Sequence, residues 1–281
     1  FVNTQIMTIL VTGGGGYIGS HIVKMLLDNG HKTVVIDNFS HGYRDNVDIR
    51  AKLVVGDIRD PKKAKEALAG VDAVIHMASL IVVPESVSEP IKYCENNVSG
   101  TVSFLNSMNE MGVKKIIFSS SACVYGTPDE LPIEESAQIR PDNPYGATKA
   151  AIEAFLQSFH ACYGMDVTIL RYFNPYGPGK FYPPITHAMP NFIKAALAKK
   201  PIPVYWKGEQ VRDFIYIEDL ARAHIDVLKL SGFNVFNLGT DIGIKIKDVV
   251  TTIFKILGYE VPINDLGQRP GDVAENYASS K

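Results

Sequence analysis

The glycine-rich segment near the start of the chain constrains the fold most strongly. An apolar run at residues 8–11 is followed at once by Gly13, Gly16 and Gly19, within the sequence TGGGGYIG. Glycines at this spacing allow a tight turn, a close approach of the backbone to a phosphate, and close packing of the next helix on its strand. The pattern predicts a strand, a phosphate-binding loop and a helix over residues 16–29. Because the spacing is not the common Gly-x-Gly-x-x-Gly, the loop needs support from elsewhere in the chain.

That support comes from apolar runs that recur with helix-length segments between them. The runs lie at residues 33–36, 53–55, 73–75, 115–118 and 167–170. Strands that alternate with helices predict an α/β fold with a doubly wound parallel Rossmann sheet. After Arg171 prolines become frequent, which predicts a smaller C-terminal substrate-binding lobe with a helix at 191–199. We therefore expect a Rossmann domain at 7–173, to which 211–240 returns in part, and a lobe made of 174–210 and 241–281.

Composition narrows the class of protein. The chain has 281 residues, 46% hydrophobic content and a formal charge of -2, which is ordinary for a soluble globular protein. Scattered Lys and Arg argue against nucleic acid or an anionic membrane as a partner, and no apolar stretch reaches the ~20 residues that span a bilayer. Three cysteines at unpatterned spacings favour a reducing cytoplasm over disulfides or a metal site. We expect no secretory signal, and we leave the six residues before Met7 out of the fold argument.

Acidic and small polar residues follow the predicted strands, at the sheet edge where ligands bind. Asp37 ends the second run about 20 residues after the glycines, where an acid can bond an adenosine ribose. Its charge would repel a 2′-phosphate, so NAD is favoured over NADP. Asp37 could instead cap a turn before Ser40, but the distance from the glycines favours the ribose role. By the same logic Asp57 would reach the adenine and Ser121 would lie near the nicotinamide.

Residues 143–149, NPYGATK, carry the strongest catalytic pattern. Tyr145 and Lys149 are four apart at the start of a predicted helix, so they share a face and the ammonium can approach the hydroxyl. A nearby cation brings the pKa of a tyrosine from about 10 toward a working pH. Such pairs also occur on solvated helix faces, and Ser121 could simply bond nearby backbone. With the glycine loop upstream, we interpret Tyr145 as a base and Ser121 and Lys149 as its catalytic partners.

Together these features resemble the extended short-chain dehydrogenase/reductases, and within them the UDP-glucose 4-epimerases. The likeness runs from about Met7 to the last residue. Its motifs are the glycine loop, Asp37, Asp57, residues 119–126 (SSSACVYG), Tyr145 with Lys149, and residues 171–174 (RYFN), with further matches at 85–87, 96–101, 211–216 and 269–272.

The resemblance implies an epimerase that keeps NAD bound and inverts C4 of a UDP-sugar through a transient 4-keto sugar. Tyr145 would take the proton of the 4′-hydroxyl, Ser121 would bond the same oxygen, and Lys149 would hold the nicotinamide ribose. The strand ends and the resemblance together give these cofactor-binding residues: Gly13, Gly16, Tyr17, Ile18, Gly19, Asp37, Asn38, Ser40, Asp57, Ile58, Met77, Ala78, Ser79, Asn97, Ser119, Tyr145, Lys149 and Tyr172. No metal is implied.

For the substrate, the resemblance assigns Arg212 and Arg269 to the diphosphate. It assigns Asp272 to the uridine ribose, and Tyr205 or Phe214 to the uracil. Dehydration is disfavoured because Ser121, Ala122 and Cys123 stand where dehydratases carry Thr-Asp-Glu and offer no carboxylate. The substrate-binding residues are Ser121, Tyr145, Asn174, His187, Tyr205, Arg212, Arg269, Asp272 and Asn276.

Several positions depart from the family pattern. Ile81 replaces a lysine common near the cofactor, and His187 stands where an asparagine often contacts the diphosphate. Asn276 occupies the place of a bulky tyrosine that narrows the sugar pocket in some members, so we expect some activity on UDP-GlcNAc and UDP-GalNAc. The family usually continues beyond Lys281, so we expect either a short member or a truncated sequence.

Alternatives stay open within and beyond this family. They are a UDP-glucuronate or UDP-pentose 4-epimerase, a nucleotide-sugar reductase and, more remotely, a non-catalytic dinucleotide sensor. Helices at 91–111 and 147–163 resemble those through which members of the family form homodimers, although ordinary packing on the sheet explains their apolar residues equally well.

Overall fold

The computed structural model describes residues 6–179, 187–268 and 271–279. Its centre is a seven-stranded sheet in which every neighbouring pair is parallel. In chain order the strands are β1 (Thr8–Thr12), β2 (Lys32–Asp37), β3 (Lys52–Val55), β4 (Ala73–His76), β5 (Lys115–Ser121), β6 (Asp166–Tyr172) and, after four short strands of the lobe, β11 (Phe233–Leu238). The spatial order is β3-β2-β1-β4-β5-β6-β11. Successive strands are added on one side of β1 up to β3 and on its other side from β4 onward. Doubly wound sheets open a ligand crevice at such a switch point, here between β1 and β4.

Helices cover both faces of this sheet, as the alternating pattern predicts. Leu10 belongs to one apolar cluster, with Phe104, whereas Ile9 and Val11 belong to the other, with Ile22. The prediction of a doubly wound Rossmann fold is confirmed. The described helices are α1 (Tyr17–Asp28), α2 (Pro61–Leu68), α3 (Val83–Ser88), α4 (Pro90–Tyr93), α5 (Gly100–Glu110), α6 (Pro144–Tyr163), α7 (Ala188–Leu197), α8 (Ile217–Asp226) and α9 (Ile246–Leu257). Over the described ranges, none of these helices is long and apolar enough to cross a bilayer.

The remainder of the chain forms short strands and a separate apolar cluster. The short strands are β7 (Asn174–Tyr176), β8 (Ile202–Val204), β9 (Val211–Arg212), β10 (Phe214–Tyr216), β12 (Ile244–Lys245), β13 (Ile263–Asp265) and β14 (Glu275–Asn276). Strand β9 lies between β12 and β14, β10 pairs with β7, and β13 pairs with β8. The separate cluster joins Phe192 of α7, Ile202 and Val250 of α9.

The chain returns from this lobe to the large sheet. Helix α8 packs beside α1, and β11 pairs with β6 along its whole length. We propose the division given by the sequence, in which 211–240 belongs in part to the Rossmann domain, with α8 and β11 as the returning elements.

Two helices differ from the sequence expectation. Helix α7 begins at Ala188 rather than at 191, because Pro190 lies in its first turn, where the missing N–H has no helical partner to lose. The helix expected at 91–111 is interrupted by a π-helical segment, Cys94–Ser99, between α4 and α5. A π segment rotates the side chains that it carries relative to a regular helix, and this one carries Asn96 and Asn97.

Candidate functional site

Two adjoining cavities open at the carboxyl edge of the large sheet. The smaller, of about 610 Å³, is bounded by the glycine loop and the ends of β2, β3 and β4. The larger, of about 1430 Å³, lies between the end of β5, the start of α6 and the lobe. Five residues line both cavities and so mark their junction: Ile18, Ile81, Val82, Ser119 and His187.

The glycine loop forms one wall of the smaller cavity and has no room for side chains at two positions. Gly13 has φ +71°, and a Cβ there would lie 2.9 Å from the backbone nitrogen of Ala78. A Cβ on Gly19 would overlap the carbonyl oxygen of Gly13. Helix α1 starts at Tyr17 with no side-chain cap at Gly16, so its first N–H groups and its dipole remain available to an anion. This wall fits the diphosphate of a dinucleotide.

Asp37 braces the loop and also faces the smaller cavity. Its Oδ2 accepts a hydrogen bond from the Gly15 N–H at 2.9 Å, and its Oδ1 accepts one from the Phe39 N–H at 2.8 Å. The bond from the Phe39 N–H is the turn cap that the sequence allows as the alternative role of Asp37. Each carboxylate oxygen can accept a second hydrogen bond, so the ribose role is compatible with both.

Asp57 lies beyond the end of β3 and lines the same cavity as Asp37. Its carboxylate accepts from Asn38 at 2.8 Å and pairs with Arg59 at 2.7 Å. The hydrogen bond from Arg59 lowers the pKa of Asp57 to about 2. Most of the cofactor-binding residues proposed from the sequence lie on the wall of the smaller cavity: Gly13, Gly16, Tyr17, Ile18, Gly19, Asp37, Asn38, Ser40, Asp57, Ile58, Met77, Ala78, Ser79, Ser119 and Lys149.

Asn97 is a correction to the sequence interpretation, because its side chain lies behind the cavity wall. It is fully buried, its Oδ1 accepts from the Leu80 N–H at 2.8 Å, and its Nδ2 donates to Leu80 and to Thr148. The π segment turns Asn96 toward the smaller cavity instead. Asn97 thus holds the loop after β4 and leaves no donor for a cofactor.

The proposed catalytic residues meet at the junction of the cavities. Ser119 and Ser121 stand at the end of β5, and the Lys149 ammonium donates to the Ser119 carbonyl at 2.7 Å. Ser121 lies close enough to Tyr145 to lower the pKa of its hydroxyl, and both residues line the larger cavity together with Tyr172. Ser121 also accepts from the Cys123 N–H at 3.2 Å, so the backbone contact considered as an alternative coexists with the contact to Tyr145.

Local contacts fix where α6 begins and so where Tyr145 stands. The Asn143 side chain caps the helix by accepting from the Gly146 N–H at 2.9 Å, and Pro144 occupies the first turn. The Tyr145 N–H donates to the Ser86 hydroxyl at 3.1 Å. Asn143 also donates to the Gly271 carbonyl at 3.1 Å, which ties the catalytic helix to the lobe.

The electrostatics of the Tyr145 and Lys149 pair contradict one expectation. Burial raises the pKa of the Tyr145 hydroxyl above its ordinary value, Cys123 adds to the rise, and the hydrogen bond from Ser121 opposes it. Burial also lowers the pKa of Lys149 to about 7, against the charges of Glu153 and Cys123. The Lys149 nitrogen is bonded to Ser119 and lies 5.9 Å from the centre of the Tyr145 ring. The predicted lowering of the Tyr145 pKa by Lys149 is therefore wrong here, since burial is the largest cause of the shift and raises the pKa.

The larger cavity brings together nearly all the substrate-binding residues proposed from the sequence. Arg212 and Asp272 form an ion pair at 2.6 Å, and Gln210 donates to the same carboxylate at 3.0 Å. Arg269 lies outside the described residues. The proposed residues on the wall are Ser121, Tyr145, Asn174, His187, Tyr205, Arg212, Asp272 and Asn276.

Asn276 stands out on this wall because it is 6% exposed and its Oδ1 has no hydrogen-bond partner within the described residues. A buried acceptor without a partner is costly. Asn276 could therefore accept a hydrogen bond from a bound ligand.

Sequence reasoning missed four residues that shape the site: Gln210, Asn143, Ser86 and Glu153. Asn143 before Pro144 was readable as a helix cap. Gln210 stands two residues before Arg212, just ahead of the short strand β9, and both side chains contact Asp272. Ser86 lies in the matched stretch 85–87 and Glu153 follows Lys149 by four residues, but neither signal identifies their partners, which are distant along the chain.

Known proteins resemble this chain along nearly its whole length. The UDP-glucose 4-epimerase of Lacticaseibacillus casei is 38% identical over 294 residues, which cover 98% of this chain and 89% of that protein. The solved structure of the Thermus thermophilus UDP-glucose 4-epimerase in complex with NAD matches with a TM-score of 0.92 and 32% identity, covering 97% of this chain and 90% of that one.

A third relative has a different named substrate. The UDP-N-acetylglucosamine 4-epimerase from Methanobrevibacter ruminantium M1, in complex with UDP-N-acetylmuramic acid, matches with a TM-score of 0.91 and 35% identity over 98% of this chain and 90% of that one. The family model of the NAD dependent epimerase/dehydratase family matches residues 9–239. With its glycine loop, its Tyr145 and Lys149 pair and these matches along nearly its whole length, the chain belongs to the NAD dependent epimerase/dehydratase family.

Proposed function

We propose that this protein interconverts UDP-glucose and UDP-galactose by inverting C4 of the sugar, with NAD retained between turnovers. The observation that carries the proposal is the meeting of Ser121, Tyr145 and Lys149 where the smaller cavity, with its glycine-loop wall, joins the larger one. The names of the relatives point the same way. Neither a reductase nor a dinucleotide sensor is favoured by a specific feature of the site.

The residues divide the work as follows. NAD, held by Gly13, Gly16, Gly19 and Asp37 on the wall of the smaller cavity, would supply a hydride acceptor and donor for C4′ of the sugar. Tyr145 takes the proton of the 4′-hydroxyl as the sugar is oxidised and gives it back when the sugar is reduced. Ser121 bonds the same oxygen and orients it. Because burial raises the pKa of Tyr145, its phenolate would need a cation nearby, and we assign that role to Lys149, whose nitrogen lies 5.9 Å from the centre of the Tyr145 ring.

The lobe would hold the nucleotide end of the substrate. Arg212 offers a planar guanidinium to the diphosphate, and its ion pair with Asp272 fixes the orientation of both side chains. Tyr205 and Phe214 line the same cavity as aromatic surfaces for the uracil. We propose that Arg269, Asn174 and His187 complete the diphosphate site and that Asp272 accepts from the uridine ribose.

The first experiment is to incubate the purified protein with UDP-galactose, without added NAD, and to measure UDP-glucose by chromatography. Formation of an equilibrium mixture is the expected result, because the NAD must already be bound. If no conversion occurs even with added NAD, and the protein is shown to contain the cofactor, the hexose substrate is wrong and a UDP-uronate, UDP-pentose or N-acetyl sugar is the next candidate.

A second substrate pair, UDP-GlcNAc and UDP-GalNAc, is favoured by Asn276. Its unpartnered Oδ1 lies on the wall of the larger cavity and can accept from the N–H of an acetamido group. We expect the protein to interconvert this pair and Asn276→Tyr to lose that activity, through bulk, while it retains UDP-galactose turnover. Equal loss of both activities would show that the substitution damages the site in general.

We further propose a homodimer and a cytoplasmic location. Ile91, Phe155 and Tyr163 are exposed apolar residues on α4 and α6, and Cys94 and Cys162 are free, exposed thiols. Sedimentation of the protein should give twice the chain mass, and Phe155→Asp should shift it to one chain mass. A wild-type monomer at micromolar concentration would refute the dimer.

A further inference from the structure

A buried ion pair lies directly behind the catalytic end of β5. The side chains of Glu153 and Arg171 are 6% and 5% exposed, and they make two parallel contacts, from Nη2 to Oε2 at 2.7 Å and from Nε to Oε1 at 3.0 Å. Burying two charges is costly even when they are paired, so such a pair is weak evidence for stability. Its surroundings point to a role in the site.

Glu153 reaches the catalytic strand through Ser120. The Ser120 hydroxyl donates to Glu153 Oε1 at 2.5 Å, and Ser120 lies between Ser119, which holds the Lys149 ammonium, and Ser121, which bonds Tyr145. In the register of the sheet, Arg171 on β6 is directly opposite Ser120 on β5. The ion pair therefore holds residues 119–121 in place through Ser120, and the neighbours of Ser120 contact Lys149 and Tyr145.

Glu153 also shares a helix face with the catalytic residues. Tyr145, Lys149 and Glu153 follow one another at four-residue intervals on α6, which places each about one turn from the next. The Glu153 carboxylate raises the pKa of Lys149 and opposes the burial that lowers it to about 7. The Glu153 carboxylate thus favours the charged form of Lys149.

Among the other groups around Lys149, Cys123 also acts to raise its pKa, but less than Glu153 does. His76 on β4 is fully buried, and burial lowers its pKa to about 3. Burial likewise raises the pKa of the Cys123 thiol and of the Tyr145 hydroxyl, so both favour their neutral forms. The titratable and charged groups that face Lys149, directly or through Glu153, are Tyr145, Glu153, His76, Cys123 and Arg171.

We propose that Glu153 is a positioning residue of the catalytic site: held by Arg171, it fixes the end of β5 through Ser120 and stabilises the charged form of Lys149. The catalytic part of this inference rests on the proposed function, in which Lys149 acts as a cation. The electrostatic part concerns this chain alone and can be measured without a substrate.

The test is the titration of Lys149, followed by NMR in protein labelled with ¹⁵N at the lysine side chains. Lys149→Met identifies the signal by its loss. Glu153→Gln should lower the midpoint of the Lys149 titration by about 1 pH unit, the lower end of the range for a nearby opposite charge. Glu153→Asp, which keeps the charge, should retain a midpoint close to that of the wild type.

Glu153→Gln leaves the Arg171 guanidinium buried without its partner and could fail to fold for that reason. The double variant Glu153→Gln with Arg171→Met leaves neither charge of this ion pair without its partner. If Glu153→Gln alone does not fold, the titration midpoint of Lys149 is measured in the double variant. Glu110→Gln, which breaks an exposed ion pair with Lys65 on the α5 surface, is the control and should leave the midpoint unchanged. A midpoint unchanged in the folded neutral variants would overturn the proposal.

Turnover then separates the two proposals. If the wild type epimerises UDP-galactose, the alkaline limb of its pH–rate profile should move to lower pH in Glu153→Gln, because Lys149 loses its proton earlier, while the NAD content stays the same. A purely structural role would lower activity at all pH values without moving the limb. If the wild type shows no turnover but the NMR midpoint moves, the proposed function fails and the electrostatic role of Glu153 stands.

Discussion

The two cavities of this protein are built by different means. The wall of the smaller one comes from the ends of parallel strands, so that Asp37, Met77 and Ser119 reach one edge through the register of the sheet. The wall of the larger one depends on strands of two or three residues and on long-range polar contacts such as Arg212 with Asp272, 60 residues away. A regular sheet holds its functional side chains in position through many backbone hydrogen bonds. A lobe built from loops holds them through contacts of a few side chains. Changes in the first region should abolish function, and changes in the second should retune it.

The largest effect is expected from Tyr145→Phe, at the point where the two regions meet. Loss of the hydroxyl removes the group that exchanges the proton of the 4′-hydroxyl, so turnover should fall by about 10²–10⁴-fold. The NAD content, measured after denaturing the protein, should not change. Tyr163→Phe, at the exposed end of the same helix, is the matched control and should keep full activity. Equal activity of the two variants would place the base elsewhere.

The next effect tests how rigid the sheet-built region is. Gly13 and Gly30 have φ of +71° and +84°, so alanine at either position costs about 1–2 kcal/mol of backbone strain. Only Gly13 also meets neighbouring backbone, at Ala78. Gly13→Ala should therefore lose most of its bound NAD, and Gly30→Ala should lose stability alone.

Cofactor content and melting temperature of the two glycine variants check this expectation. If Gly13→Ala retains NAD as well as Gly30→Ala does, the loop adapts and the contrast between the two regions is weaker than the geometry indicates.

In the lobe, Arg212→Met should weaken substrate binding and leave chemistry nearly intact. A hydrogen bond to a charged group contributes about 1.5–3 kcal/mol, which corresponds to a rise in KM of at least about tenfold. The value of kcat should stay within about threefold, because Arg212 is remote from the reacting carbon in the proposed binding mode. Arg222→Met, on the exposed face of α8, is the control. A fall in kcat without a change in KM would instead assign Arg212 to the catalytic step.

The same contrast explains what the sequence could predict. Runs of apolar residues and strand-end polar residues determined the doubly wound fold and placed Asp37, Ser121, Tyr145 and Lys149 at one edge, because period and register are local properties. The start of α7 was missed because proline is tolerated in a first turn.

Residues whose roles depend on distant partners were not predictable. The contact of Ser86 with the Tyr145 N–H joins positions 59 residues apart, and that of Ser120 with Glu153 joins positions 33 apart. The direction of the Tyr145 pKa shift was also missed, since spacing along a helix reveals a nearby cation but not the extent of burial.

The smallest effect is expected at Asp57, on the solvent side of the sheet-built region. Its folded pKa of about 2 lies below the usual value because of Arg59, so the stability it contributes is present above the unfolded pKa of about 3.9 and is lost as pH falls toward 2. Because its ion pair with Arg59 is partly exposed, the contribution should not exceed about 1 kcal/mol. Urea unfolding of wild type and Asp57→Asn at pH 6 and at pH 3 should show a stability difference that shrinks in acid. If the difference in unfolding free energy between the two proteins grows in acid instead, the charged form of Asp57 is destabilised by its neighbours. The strand ends of the sheet-built region would then be less uniformly stabilised than the parallel register implies.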